Sequence, residues 1–205
     1  MPKPTIKQIP IGPMMNYTYL IADEQAGVCA VVDPCWDAET IFLEADKVGL
    51  KIEKILLTHT HFDHANALEP LFNKTHASVF VNVAEAAEIP SGIEKVETGD
   101  GYKIELAGLN IECLHTPGHT PGSQCFLVND SIFTGDTLFV DGCGRVDLPG
   151  GNPGEMLTSL KRLASLDDGI TVYPGHNYGS SERSTIGDQK KKNPYMNANS
   201  EGALL

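Results

Sequence analysis

Short apolar or alternating blocks recur along the chain and predict strands over residues 5–9, 17–22 and 28–32. Residues 38–48 instead carry Ile41, Phe42, Ala45 and Val48 on one helical stripe, with Gly49 as the stop. A buried strand over 54–57, a helix over 65–72 and a strand over 78–81 follow. The middle is strand-rich, with strands predicted over 103–106, 109–114, 124–128 and 131–133. Val128-Asn129-Asp130-Ser131 has the composition of a tight hairpin. A helix then opens with Asn152 as its cap, Pro153 as its first residue and Glu155 completing a capping box. Met156, Leu157, Leu160 and Leu163 form its apolar stripe. A strand over 169–173 and a short helix capped by Ser184 and running to about residue 191 come last. Residues 193–205 read as a surface tail.

Strands outnumber helices, and the helices are interspersed among them. Two packed sheets with helices outside satisfy this order better than one doubly wound sheet. No linker or repeat divides the 205 residues, so a single domain over 1–205 is expected. A hydrophobic content of 41% is enough for a packed core. Fifteen Lys and Arg against 27 Asp and Glu leave a formal charge of −12, which argues against nucleic acid as a partner. No run approaches the roughly 18 apolar residues of a membrane span. Residues 1–10 lack the apolar stretch of a secretory signal. Five cysteines without a C-x-x-C pair fit a reducing, cytoplasmic setting. Cys29 and Cys125 read as core residues, and Cys143, between two glycines, as a residue that could line a pocket.

The chemistry is concentrated at strand ends. His59, His61 and His64 fall in one short segment with Asp63 between the last two. In extended chain, residues two apart share a side, so His59 and His61 can converge on one metal while Asp63 and His64 reach a second point. Imidazole and carboxylate suit zinc, iron and manganese alike. Three more turns follow apolar strands: Thr116-Pro117-Gly118-His119, Gly135-Asp136-Thr137 and Pro174-Gly175-His176. One site would then account for five of the seven histidines.

His-x-His-x-Asp-His followed by a distant His, Asp and His resembles the metallo-β-lactamase superfamily. The resemblance implies an αββα sandwich, two mixed β-sheets flanked by helices, with two divalent metal ions at one edge. Zinc is the first expectation, with iron or manganese as alternatives. By the same resemblance, His59, His61 and His119 bind one metal, Asp63, His64 and His176 the other, and Asp136 bridges them. Asp33 is either a turn residue or a carboxylate that fixes a ligand histidine. Residues 135–145 are most similar to glyoxalase II, which implies a small-molecule thioester as substrate, an acylglutathione. The nucleophile would be a hydroxide shared by the metals and oriented by Asp63. That resemblance makes Arg145 a glutathione anchor and lets Tyr178 line the same pocket. The simpler reading of Arg145 is a surface partner of Asp141 or Asp147.

Two features depart from glyoxalase II. Val146-Asp147-Leu148-Pro149 replaces the aromatic residues usual after the basic position, and only 29 residues follow His176, too few for the usual C-terminal helical domain. The Gly-Cys-Gly-Arg stretch with Asp147 is also similar to the persulfide dioxygenases, which use a single iron on the same scaffold. Trp36 is expected to pack on the first helix rather than to rim the pocket, His115 to be structural and His76 to lie on the surface.

Overall fold

The computed structural model describes residues 3–204. Two six-stranded sheets lie face to face. The first contains β1 (Thr5–Ile11), β2 (Asn16–Asp23), β3 (Val28–Val32), β4 (Lys51–Leu56), β5 (Ser78–Asn82) and β6 (Lys95–Thr98), in chain order. The second contains β7 (Lys103–Leu106), β8 (Leu109–His115), β9 (Gln124–Val128), β10 (Ser131–Gly135), β11 (Thr171–Pro174) and β12 (Ser184–Thr185). Both sheets are mixed: β3, β4, β5 and β6 pair in parallel, as do β10 and β11, and the remaining pairs are antiparallel. Strand alternation builds the layers. Tyr17, Tyr19 and Ile21 of β2 face the second sheet and meet Phe126, Phe133 and Tyr173. Leu20 and Ala22 face the other way, under helices α1 (Ala38–Asp46) and α3 (Leu68–Thr75). Helix α4 (Pro153–Ala164) covers the outer face of the second sheet through Met156, Leu160 and Leu163, with α5 (Ile186–Lys192) beside it. The expected αββα order is therefore present. No helix among the described residues is long and apolar enough to cross a membrane.

Several local expectations need correction. Strand β6 was not expected; its Lys-Val-Glu-Thr sequence is polar because it is an edge strand with only two half-buried positions and one buried threonine. Helix α1 ends at Asp46, and Val48 beyond it is exposed. The helix expected over 65–72 is two pieces, α2 (Phe62–Ala65) and α3, separated where the Ala67 amide donates to the Pro34 carbonyl. Thr185, not Ser184, caps α5 by accepting from the Asp188 amide. The tail is partly internal: Asn193, Met196 and Ala198 are buried, and the Asn193 amide donates to the carbonyls of Phe139 and Gly142. Residues 1, 2 and 205 lie outside the described part.

Candidate metal centre

Parallel pairing decides where the site forms. Strands β3 and β4 run the same way, so their carboxyl ends open at one edge of the first sheet; β10 and β11 do the same in the second. Asp33 follows β3, and the His59–His64 segment follows β4. Asp136 follows β10, His176 follows β11, and His119 sits in the turn between β8 and β9. The two edges are joined there by a hydrogen bond from the Tyr17 amide to the Gly175 carbonyl, 2.8 Å. Gly175 makes the approach possible, because a Cβ at that position would fall 2.5 Å from Asp136 Oδ1 and 2.9 Å from the His64 ring.

Seven side chains converge. His59, His61 and His119 bring one ligand atom each within 4.8 Å of one another, and Asp63, His64 and His176 do likewise. Asp136 lies between the two sets: Oδ1 is 3.3 Å from His64 Nε2, and Oδ2 is 3.5 Å from both His119 Nε2 and His176 Nε2.

The neighbours of the rings fix which nitrogen faces inward. His119 Nδ1 donates to the Arg145 carbonyl at 2.7 Å, and His176 Nδ1 to the Met14 carbonyl at 2.9 Å. A carbonyl only accepts, so both Nδ1 atoms carry the proton and both Nε2 lone pairs point into the cluster. The Thr58 hydroxyl donates to Asp33 Oδ2 at 2.6 Å and so accepts from His59 Nδ1 at 3.1 Å. His64 Nδ1 meets Asp33 Oδ2 at 3.0 Å. Asp33 thus supports His64 directly and His59 through Thr58.

The donor set fits divalent metal ions. Among the described residues, three buried side-chain polar atoms have no hydrogen-bond partner, and two of them are His59 Nε2 and Asp136 Oδ1. Such atoms are costly unless something ligates them. Charge is arranged to match. Burial, then the neighbouring His64, holds His59 well below the usual histidine range, and burial with His119 lowers His61. Burial alone would lower His64 too, but the carboxylates of Asp136 and Asp33 outweigh it and hold this ring well above its ordinary value. Burial would raise Asp136, yet His64 and His176 keep it well below the carboxylate range. A protonated imidazole cannot ligate, so a metal ion taken up there would have to displace the His64 proton.

Residues 11–176 match the family model described as the metallo-beta-lactamase superfamily. The chain belongs to the metallo-β-lactamase superfamily. Within it, the "Probable polyketide biosynthesis zinc-dependent hydrolase PksB" of Bacillus subtilis is 34% identical over 88% of this chain and 81% of its own length. The "Hydroxyacylglutathione hydrolase GloC" of Haemophilus influenzae is 31% identical over 95% of this chain and 99% of its own length. Among solved structures, that of ETHE1 from Myxococcus xanthus superposes with a TM-score of 0.88 at 32% identity, covering 98% of this chain and 88% of that one.

The remaining site expectations on this metallo-β-lactamase scaffold divide. The Tyr178 ring stacks on His176 with centroids 4.5 Å apart, and its hydroxyl donates to the Met14 carbonyl, so it stands at the mouth of the cluster. Arg145 turns away. Its guanidinium makes two 2.9 Å hydrogen bonds to Asp147 on the surface, and only its backbone carbonyl reaches the site, through His119. Cys143 packs against the outer core of the second sheet, where burial pushes its thiol up to about 12. His115 bonds the Pro121 carbonyl and lies outside the cluster.

Sequence reasoning overlooked Glu85. It lies in the 3-10 helix Val83–Glu88, and its buried carboxylate accepts from the Thr60 amide and hydroxyl and from the Gly122 amide. It therefore ties the His59–His61 loop to the His119 turn. Glu85→Ala should leave these two amides without partners. The expected loss is roughly 2–4 kcal/mol by urea unfolding, with weaker binding at the His59–His61–His119 set. Unchanged stability and unchanged metal binding would show that Glu85 ties nothing.

Proposed function

We propose that this chain is a metal-dependent hydrolase that cleaves thioesters, with an acylglutathione as substrate. The observation that carries the reading is the pair of three-residue ligand sets with Asp136 between them. His59, His61 and His119 would hold one ion, Asp63, His64 and His176 the second, and Asp136 both. The ligands are borderline donors, and one relative is described as zinc-dependent, which supports zinc. When bound, two divalent ions supply an acidified water as nucleophile and positive charge for the oxyanion that develops. Asp63 is assigned the catalytic role: its carboxylate would orient the attacking water and would help to hold the second ion. Asp33 keeps His64 and His59 in the required tautomers. The leaving thiolate needs little protonation, which suits a site without a further acid. All of these groups lie between Asp33 and His176, within the one domain proposed over 1–205. A relative matched along almost its whole length is described as a hydroxyacylglutathione hydrolase, which supports the thiol assignment.

Arg145 and Tyr178 are assigned to the glutathione moiety. The Arg145 side chain is 66% exposed, and its pair with Asp147 is a surface pair that a substrate carboxylate can replace. Zinc-loaded protein should hydrolyse an acylglutathione, and Arg145→Ala should raise KM about tenfold or more with little change in kcat. The same variant should be nearly indifferent toward a neutral thioester of a small thiol. Oxygen uptake with a persulfide and no thioester cleavage would overturn the hydrolase. Thioester cleavage with an unchanged acylglutathione KM in the variant would overturn only the anchor.

A further inference from the structure

Asp63 is not free to choose its orientation. Its Oδ2, the oxygen 3.5 Å from His64 Nε2 and 3.4 Å from His176 Nε2, accepts a 2.9 Å hydrogen bond from the Asn16 side-chain amide. The same NH2 group lies 3.4 Å from the Asp63 carbonyl. Asn16 is fully buried at the start of β2, where its backbone bridges to His176. Its own amide carbonyl accepts the indole N–H of Trp36 at 2.8 Å. An amide flipped by half a turn would set an oxygen against a carboxylate and an NH2 group against another donor. Both ends therefore enforce one orientation.

Trp36 is itself held in an unusual way. It occupies the left-handed region at φ 59°, a conformation that costs a non-glycine residue energy and persists only where the surroundings demand it. Its backbone amide donates to Asn66 Oδ1, and its ring stands edge-to-face on Phe62 at 5.9 Å. The ring lies so close over Gly12 that a Cβ there would fall 2.0 Å from the indole Cδ1. These contacts point the N–H at Asn16 and correct the expectation that Trp36 simply packs on the first helix.

We propose that Trp36 and Asn16 are positioning residues that act in series to fix the Asp63 carboxylate, so that Trp36 sets the metal affinity of the Asp63–His64–His176 triad without touching it. The proposal rests on the reading that this triad holds a metal ion. Because Trp36 is the single tryptophan of the chain, replacing tryptophan globally by its benzothiophene analogue exchanges only that N–H for a sulfur, which cannot donate a hydrogen bond to Asn16. Zinc titration of the metal-free protein against a chromophoric chelator would then separate the two ions. Losing the N–H should weaken the second ion about tenfold, and Asn16→Ala by about 10- to 100-fold. Combining the two should be no worse than Asn16→Ala alone, since one acts only through the other. The first ion should be unaffected. In the metal-free protein the single indole N–H resonance should shift in Asn16→Ala, a readout independent of loading. Second-ion affinity unchanged by losing the N–H, or two effects that multiply, would overturn the relay. Wild-type protein that takes up one ion only would instead overturn the two-metal reading on which it stands.

Discussion

Asp136→Asn is expected to strip at least one metal ion from the protein and to lower thioester turnover by about two orders of magnitude or more. Asp136 approaches histidines of both ligand sets with its two carboxylate oxygens, reaching His64 and His176 on one side and His119 on the other. Asparagine has the same shape but one oxygen and no charge. Its NH2 group would face imidazole lone pairs, where it can donate a hydrogen bond but cannot ligate. The metal-free variant should fold, because a buried charge is removed and no cavity is made. Elemental analysis beside steady-state kinetics is decisive. Two ions per chain with near-normal turnover would show that Asp136 is not shared between them.

Chelation should lower the unfolding temperature by about 8–16 °C. The estimate follows from linkage: ligand at a thousand times its dissociation constant stabilises by roughly 4.1 kcal/mol, and a domain of this size gains about 2–4 °C per kcal/mol. The structure supplies the reason for a large effect. Among the described residues, His59 Nε2 and Asp136 Oδ1 are buried without a hydrogen-bond partner. Calorimetry with and without chelator, followed by zinc add-back, would measure it. An unfolding temperature that ignores both treatments would mean that the cluster does not bind metal at equilibrium.

The ligand segments were legible in the sequence because polar residues at the ends of apolar blocks stand out from the pattern around them. His59, Asp136 and His176 each follow such a block, and parallel pairing brings those ends together. The supporting residues were less legible. Glu85 lies in Val-Ala-Glu-Ala-Ala-Glu, which looks like any exposed helical turn, and its partners at Thr60 and Gly122 are distant in sequence. Trp36 resembled packing because its role depends on a backbone φ that no spacing reveals. The partner of Arg145 was undecided between two aspartates. The structure chooses Asp147, while Asp141 instead accepts from Ser180. Strand β6 was missed because an edge strand needs few apolar residues, and its place is set by the ladder with β5.

Among the described residues no strand crosses between the sheets: the first uses residues up to Thr98 and the second starts at Lys103. Each proposed metal set draws from both. His59 and His61 come from the first half and His119 from the second; Asp63 and His64 come from the first and His176 from the second. The two ions would therefore act as rivets across a seam. Any shear of one half over the other would strain both coordination spheres at once, and activity would register how tightly the halves are clasped.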